Sequence, residues 1–293
     1  MSAVRRILAC GNSVGESAVW CARTGRVFWV DIVGRSIHAL ESGSGRHQSW
    51  PTPDIATSIG LRQDGGAILG LSRHVALWEY GHEFEPLACL EPDLPDNRLN
   101  EGKVGPEGAF WVGTMQNNID AAGEPLAMSR SSGAFYRVWP SGRVETLIPR
   151  EFGICNSMAW DGAGRFLCAD TLVNTLYAFD IQSHGIASRH DFGTPFSRGL
   201  PDGSALDAEG FLWNCRVGGG CVVRFAPDGA VDRIVDLPCS APTSCTFGAQ
   251  DLRTLFITSA RFGLPPERHA HPDEGALFAF EPGVAGRPEH LFG

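Results

Sequence analysis

The apolar positions of this chain fall into short bursts of four to seven residues, each opened by a turn signal rather than spread at helical spacing. One burst recurs six times, beginning at Gly25, Gly66, Gly108, Gly164, Gly210 and Arg253, as in Gly25-Arg-Val-Phe-Trp-Val-Asp-Ile32 and Gly108-Ala-Phe-Trp-Val-Gly-Thr-Met115. The start-to-start spacings are 41, 42, 56, 46 and 43 residues. A second short strand follows each burst, for example Ser36–Leu40, His74–Trp78 and Asn174–Phe179. An outer strand such as Arg143–Ile148 or Asp232–Asp236 completes several of the units. Asp-Gly turns at 64–65, 161–162 and 228–229 separate the strands.

Repeats of about 40–45 residues with four strands each are the signature of a β-propeller. The sequence therefore predicts an all-β fold, a six-bladed β-propeller with four-stranded antiparallel blades, occupying residues 1–293 as one domain. Val4–Leu8 is expected to pair with the C-terminal blade and close the ring, which removes exposed strand edges. A β-sandwich would not give six equivalent units. Two bursts are followed by long insertions, residues 116–132 and 261–274, placed to wall or cover a site.

Composition narrows the class. Gly and Pro number 36 and 19, as a turn-rich β protein requires. The formal charge of −9 argues against a nucleic-acid partner, which would need a basic face. No 18-residue apolar run is present, and the apolar part of Met1–Cys10 is too short for a secretory signal, so a cytoplasmic protein without a membrane partner is expected. The 9 cysteines are odd in number and form no Cys-x-x-Cys pair, so reduced, buried thiols are expected. No Gly-x-Ser-x-Gly segment supports a nucleophilic serine. Trp111 and Trp213 hold equivalent places in their repeats and are expected in the core. Arg216 and Arg261 follow repeat strands and are expected at a pocket mouth, and His269-Ala-His271 on an exposed loop.

The polar residues in phase with the repeat carry the chemistry. The strand preceding each burst is the innermost of its blade. Eight residues before Gly66, Gly108, Gly164 and Gly210 stand Ser58, Asn100, Asn156 and Asp202; Glu16 stands nine before Gly25, and Thr243 and Ser244 hold the place in the sixth unit. Equivalent positions in a propeller surround one axis. Two carboxylates and two amide oxygens are thus brought around one point, costly if buried alone. A hard divalent cation satisfies such a set, with Ca²⁺, Mg²⁺ or Mn²⁺ fitting better than Zn²⁺ or Fe(II) because no histidine is among the ligands.

Taken together, Gly15-Glu16-Ser-Ala-Val-Trp20, Asn97-Arg98-Leu-Asn100-Glu-Gly-Lys-Val104, Gly113-Thr-Met115, Pro201-Asp202-Gly203 and Thr243-Ser-Cys-Thr-Phe-Gly248 resemble the regucalcin/gluconolactonase family of sugar-lactone hydrolases, in order and over nearly the whole chain. The resemblance implies a six-bladed propeller with one divalent metal in its channel. It implies Glu16, Asn156 and Asp202 as metal ligands and Arg98 and Asn100 as substrate-binding residues. Glu101, at a position where the family usually has Asp, joins the substrate-binding candidates. Ala18 stands where the family usually has Pro, and Cys155-Asn156-Ser157 departs from its Pro/Ser-Asn-Gly. The Cys155 thiol is expected to pack, with tuning of the metal as the other reading.

The expected reaction is metal-dependent hydrolysis of an aldonolactone, such as glucono-, xylono-, arabinono- or galactonolactone, to its aldonic acid. The cation holds the lactone carbonyl oxygen, Arg98 binds substrate oxygens, and the catalytic base is Asp202 or a metal-bound hydroxide. Two other readings of the same centre are a calcium-binding regulatory propeller and an organophosphate or ester hydrolase. A monomer or weak oligomer acting on a small sugar lactone is expected.

Overall fold

The computed structural model describes residues 3–182, 185–193 and 195–293. Six antiparallel sheets stand around a central channel as a six-bladed β-propeller. Their innermost strands are Gly15–Cys21, Ala56–Arg62, Asn97–Val104, Cys155–Trp160, Leu200–Leu206 and Pro242–Gly248. Three further strands run outward in each blade. In the sixth blade the outermost is Arg5–Leu8, paired with Leu277–Phe280, so the N-terminal segment closes the ring as expected.

The burial pattern explains the layering. Inner strands such as Gly15–Cys21 and Pro242–Gly248 are buried at every position, because both faces pack against neighbouring blades and the edge faces the channel. The outer strand Val231–Asp236 alternates exposed and half-buried positions, the period of a strand with one wet face. Aromatic wedges fill the gaps between blades. Between the third and fourth, Trp111, Phe135, Phe152, Trp160 and Phe166 surround Cys155. Trp111 and Trp213 are core residues, each with its indole N–H donated to a turn carboxylate, Glu107 (2.6 Å) and Asp207 (2.9 Å). All nine cysteines are unpaired, seven of them buried.

Each inner strand carries a β-bulge at the same height. In the first, Ser17 and Ala18 together oppose one residue of the next strand, between the pairs Glu16–Val30 and Val19–Phe28. The register shifts likewise after Ala56, Leu99, Asn156, Pro201 and Pro242. A bulge re-aims side chains that the pleat would otherwise alternate. Ser17 and Ser157, just after Glu16 and Asn156, take left-handed backbone, with φ of 54° and 66°. Strain of this kind persists only where the surroundings enforce it.

Close approach of the third and fourth blades depends on Gly113. A Cβ there would lie 2.4 Å from the Cβ of Cys155. Gly113→Ala is expected to lower stability by about 1–3 kcal/mol, read as a shifted urea midpoint, because the fourth blade must move outward.

The pattern did not announce the end of the chain. Leu291–Phe292 adds a short parallel strand to the channel-facing edge of Ala56–Arg62. Residues 285–293 cross the channel end remote from Glu16. Their bonds include Ala208 N–H to Ala285 O (2.8 Å), Gly286 N–H to Leu252 O (2.8 Å), Arg287 to Asp161 O (3.0 Å) and Gly293 N–H to Gly108 O (3.2 Å). Two residues are too few to display a strand period, so this element is invisible to a pattern reading. A single helical turn, Pro266–His269, lies in the sixth-blade insertion where a loop was expected. Among the described residues no helix is long and apolar enough to cross a membrane.

Candidate active site

The bulges bring Glu16, Arg98, Asn100, Glu101, Asn156 and Asp202 into the upper channel, all of them buried. The carboxyls of Glu16 and Asp202, from the first and fifth blades, lie close enough to act directly on one another. Burial is the main reason both carboxyls titrate above the usual carboxylate range. Their mutual repulsion and the nearby Glu101 add to the shift for Asp202, and Glu101 adds to it for Glu16. Burial likewise pushes Glu101 up to about 7, against the pull of Lys103 and the N–H groups of Ser157 and Met158.

The amides are oriented by partners that leave no choice. Asn100 donates Nδ2–H to Cys155 O (3.0 Å) and to Asn156 Oδ1 (2.9 Å), while its Oδ1 accepts from Arg98 Nη1 (2.9 Å). A carbonyl only accepts and a guanidinium only donates, so the amide cannot turn over. Asn156 donates to Thr171 Oγ1 (2.8 Å), whose hydroxyl passes on to Pro201 O (2.8 Å). The oxygen of Asn156 is thereby fixed toward Asn100 Nδ2. Asn100, left open between metal and substrate by its phase, links Arg98 to Asn156 and has its own oxygen engaged by the guanidinium.

Arg98 is held from three sides, by Leu99 O (2.8 Å), Asn100 and the Oδ1 of Asn118 (2.9 Å); its Nε is buried without a partner. Burial draws its pKa down to about 10, opposed by the fields of Glu16 and Asp202. Asn118 lies in the third-blade insertion and was not found from sequence, because insertion residues keep no phase with the repeat. That loop is pinned by Arg130 to Asp96 (2.6 Å) and by Gln116 Oε1, which accepts Ser129 N–H (2.8 Å).

Glu101 points down the channel. Its Oε2 accepts Met158 N–H (3.3 Å) in the bulge that presents Asn156, and it lines a small axial cavity with Ser17, Lys103 and His290. Ser58, in phase in the second blade, is fully buried and its hydroxyl has no partner among the described residues. Thr243 donates to Gly15 O and so braces the Glu16 strand. The Cys155 thiol faces inward to Ala134 O (3.5 Å), and burial raises its pKa well above the ordinary thiol value. It packs rather than joining the ligand set. Arg216 is 2% exposed and lines a small pocket with Asn174 and Phe196, where it donates to Asn174 Oδ1 (2.6 Å), Phe196 O (2.8 Å) and Gly199 O (2.7 Å), a latch between the fourth and fifth blades.

The donor set fits a hard cation. Two buried carboxyls that repel one another, with an amide oxygen fixed beside them, are what a divalent ion relieves. Among the described residues no three His, Cys, Asp or Glu side chains form a group that could hold a metal ion; the two carboxyls and the Asn156 amide oxygen are donors of the kind a hard cation takes.

Residues 14–261 match the SMP-30/Gluconolactonase/LRE-like region family. The chain belongs to that family. It is 34% identical to the L-arabinolactonase of Azospirillum brasilense over 94% of this chain and 90% of that protein. It is 32% identical to the 6-deoxy-6-sulfogluconolactonase of Pseudomonas putida over 95% of this chain and 94% of that one. Among solved structures it is similar to a calcium-binding protein, regucalcin, from Agrobacterium tumefaciens, with a TM-score of 0.89, 28% identity, and 99% and 97% of the two chains covered. Family membership thus agrees with the resemblance carried by the Glu16, Arg98–Asn100 and Asp202 segments.

Proposed function

We propose that this chain is a metal-dependent sugar-lactone hydrolase that opens an aldonolactone to its aldonic acid, with one divalent cation held by Glu16, Asn156 and Asp202. The observation that carries the reading is the convergence of two carboxyls from separate blades with an oriented amide and a buried guanidinium. Lactonases at 32% and 34% identity over nearly the whole chain support the substrate class, and the calcium-binding relative supports a hard ion.

When bound, the cation supplies Lewis-acid polarisation of the lactone carbonyl. Asp202 would take the proton of the attacking water. Arg98 donates to hydroxyl or ring oxygens and favours the carboxylate product by charge. Asn100 holds Arg98 and Asn156 in one arrangement. Asn118 fixes the other side of the guanidinium and lends the third-blade insertion to the cleft wall. Glu101 supports the Asn156 bulge and the field around the site.

The test is a pH-stat assay of aldonolactones on chelator-treated protein with Ca²⁺, Mg²⁺, Mn²⁺ or Zn²⁺ restored. Cation-dependent hydrolysis well above the spontaneous rate is expected for at least one lactone; none for any would sink the proposal. Arg98→Lys keeps the charge but loses the fork that meets Asn100 and Asn118. It is expected to raise KM roughly tenfold to a hundredfold, about 1.5–3 kcal/mol, with metal affinity unchanged by calorimetry.

A further inference from the structure

At the far end of the channel lies a cavity that the lactone reading does not use. It measures about 560 Å³ and is bounded by Trp20, Arg23, Leu61, Tyr80, Leu252 and Leu291. Trp20 is four residues beyond Glu16 on the same inner strand, so the two sites are roughly 13 Å apart along it at about 3.3 Å per residue. The volume lies within the range of small-molecule sites, and the walls are mainly apolar, with an indole and a phenol among them.

The polar groups at this cavity are unequal. Arg62 is paired with Asp64 (2.6 Å). Glu289, also in the wall, accepts the Thr246 hydroxyl (2.7 Å). Arg23 is different: its Nη2 caps the carbonyls of Arg62 (3.0 Å) and Gln63 (3.2 Å), and among the described residues no carboxylate pairs with it. Two carbonyls therefore hold a guanidinium at the rim with its charge unmatched and its other N–H groups available. The Trp20 Nε1–H is buried and has no partner among the described residues. Glu289 is in no ion pair among the described residues and also lines the axial cavity with Lys103 and His290; apolar walls with a guanidinium oriented at the rim suit a small molecule that has a ring body and one negative charge.

We propose that this cavity is a second ligand site, separate from the metal centre, for a small amphipathic monoanion: an aromatic or alicyclic carboxylate or sulfonate whose ring lies between Trp20 and Tyr80 and whose anionic group meets Arg23. The inference stands independently of the lactonase reading, since it concerns the opposite face.

The probe is 8-anilinonaphthalene-1-sulfonate, titrated by fluorescence into the full chain. Saturable binding at one site per chain is expected, displaced by indole-3-acetate and not by tryptamine, with the same affinity with and without EDTA. Arg23→Gln is expected to weaken it about tenfold, the size of one charge-assisted hydrogen bond. Ser42→Trp, which puts a large ring into the same lining, is expected to abolish it. Both variants should keep the parent unfolding temperature and the parent lactone turnover. Absence of saturable binding would overturn the proposal. So would equal displacement by tryptamine, or unchanged affinity in Arg23→Gln, which alone decides the matter should Ser42→Trp fail to fold.

Discussion

Asp202→Asn is expected to lower lactone turnover at least ~10³-fold while the propeller stays folded. The substitution keeps the shape of the side chain and leaves the backbone bond from Asn214 Nδ2 to Asp202 O (2.8 Å) intact. It removes two things at once. One is the proposed proton acceptor, whose positioned action contributes about 10²–10⁴-fold in comparable reactions. The other is one of the two negative charges that would face the proposed cation, on which carbonyl polarisation would depend. Turnover at saturating cation measures the first effect and calorimetric metal affinity the second. Glu16→Gln separates them, since it deletes the other charge and leaves Asp202 in place. Its affinity should fall, while turnover recovers as the cation concentration is raised. Turnover of Asp202→Asn within about tenfold of the parent would remove Asp202 from the role of base.

The second large effect is a stability that depends on pH and on the cation together. Glu16, Glu101 and Asp202 all titrate above their ordinary values in the folded chain, burial being the first cause for each. A carboxyl raised on folding favours the folded state while protonated, and that contribution is lost as pH climbs through the raised value. The metal-free protein is therefore expected to be most stable at or below about pH 4.5 with respect to these groups, and to weaken as pH rises toward 8. For Glu101, raised from 4.5 to about 7, the loss is on the order of 3 kcal/mol. A divalent cation replaces the missing protons. At a hundred times its Kd it adds about 2.7 kcal/mol, or roughly 5 °C in Tm for a chain of this size. Thermal unfolding at pH 5 and pH 8, with and without Ca²⁺, checks this. The gain should be larger at pH 8, and Glu16→Gln should be the more stable protein without metal and gain less with it. Equal metal-free Tm at both pH values would contradict the buried-carboxyl account.

Much of this site could be read from the chain alone, for a specific reason. Ring symmetry turns equal phase along the sequence into equal height along one axis. Glu16, Asn100, Asn156 and Asp202 could therefore be grouped although 186 residues separate the first from the last. The closing strand at Arg5–Leu8 and the core places of Trp111 and Trp213 followed from the same repeat. What escaped is what has no phase. Asn118 is carried by an insertion, and Leu291–Phe292 is too short to show a period.

The sequence by itself determined the six-bladed ring and which side chains share its axis, because strand period and repeat length are local properties of the chain. The tertiary structure decided how each of those groups is used. Only the meeting of separate blades sets Asn100 between Arg98 and Asn156, fixes the Asn156 amide between Asn100 and Thr171, and brings two carboxyls together in a buried channel. Those assignments depend on which lone pairs and charges face one another across the axis, and no residue carries that information in its own segment.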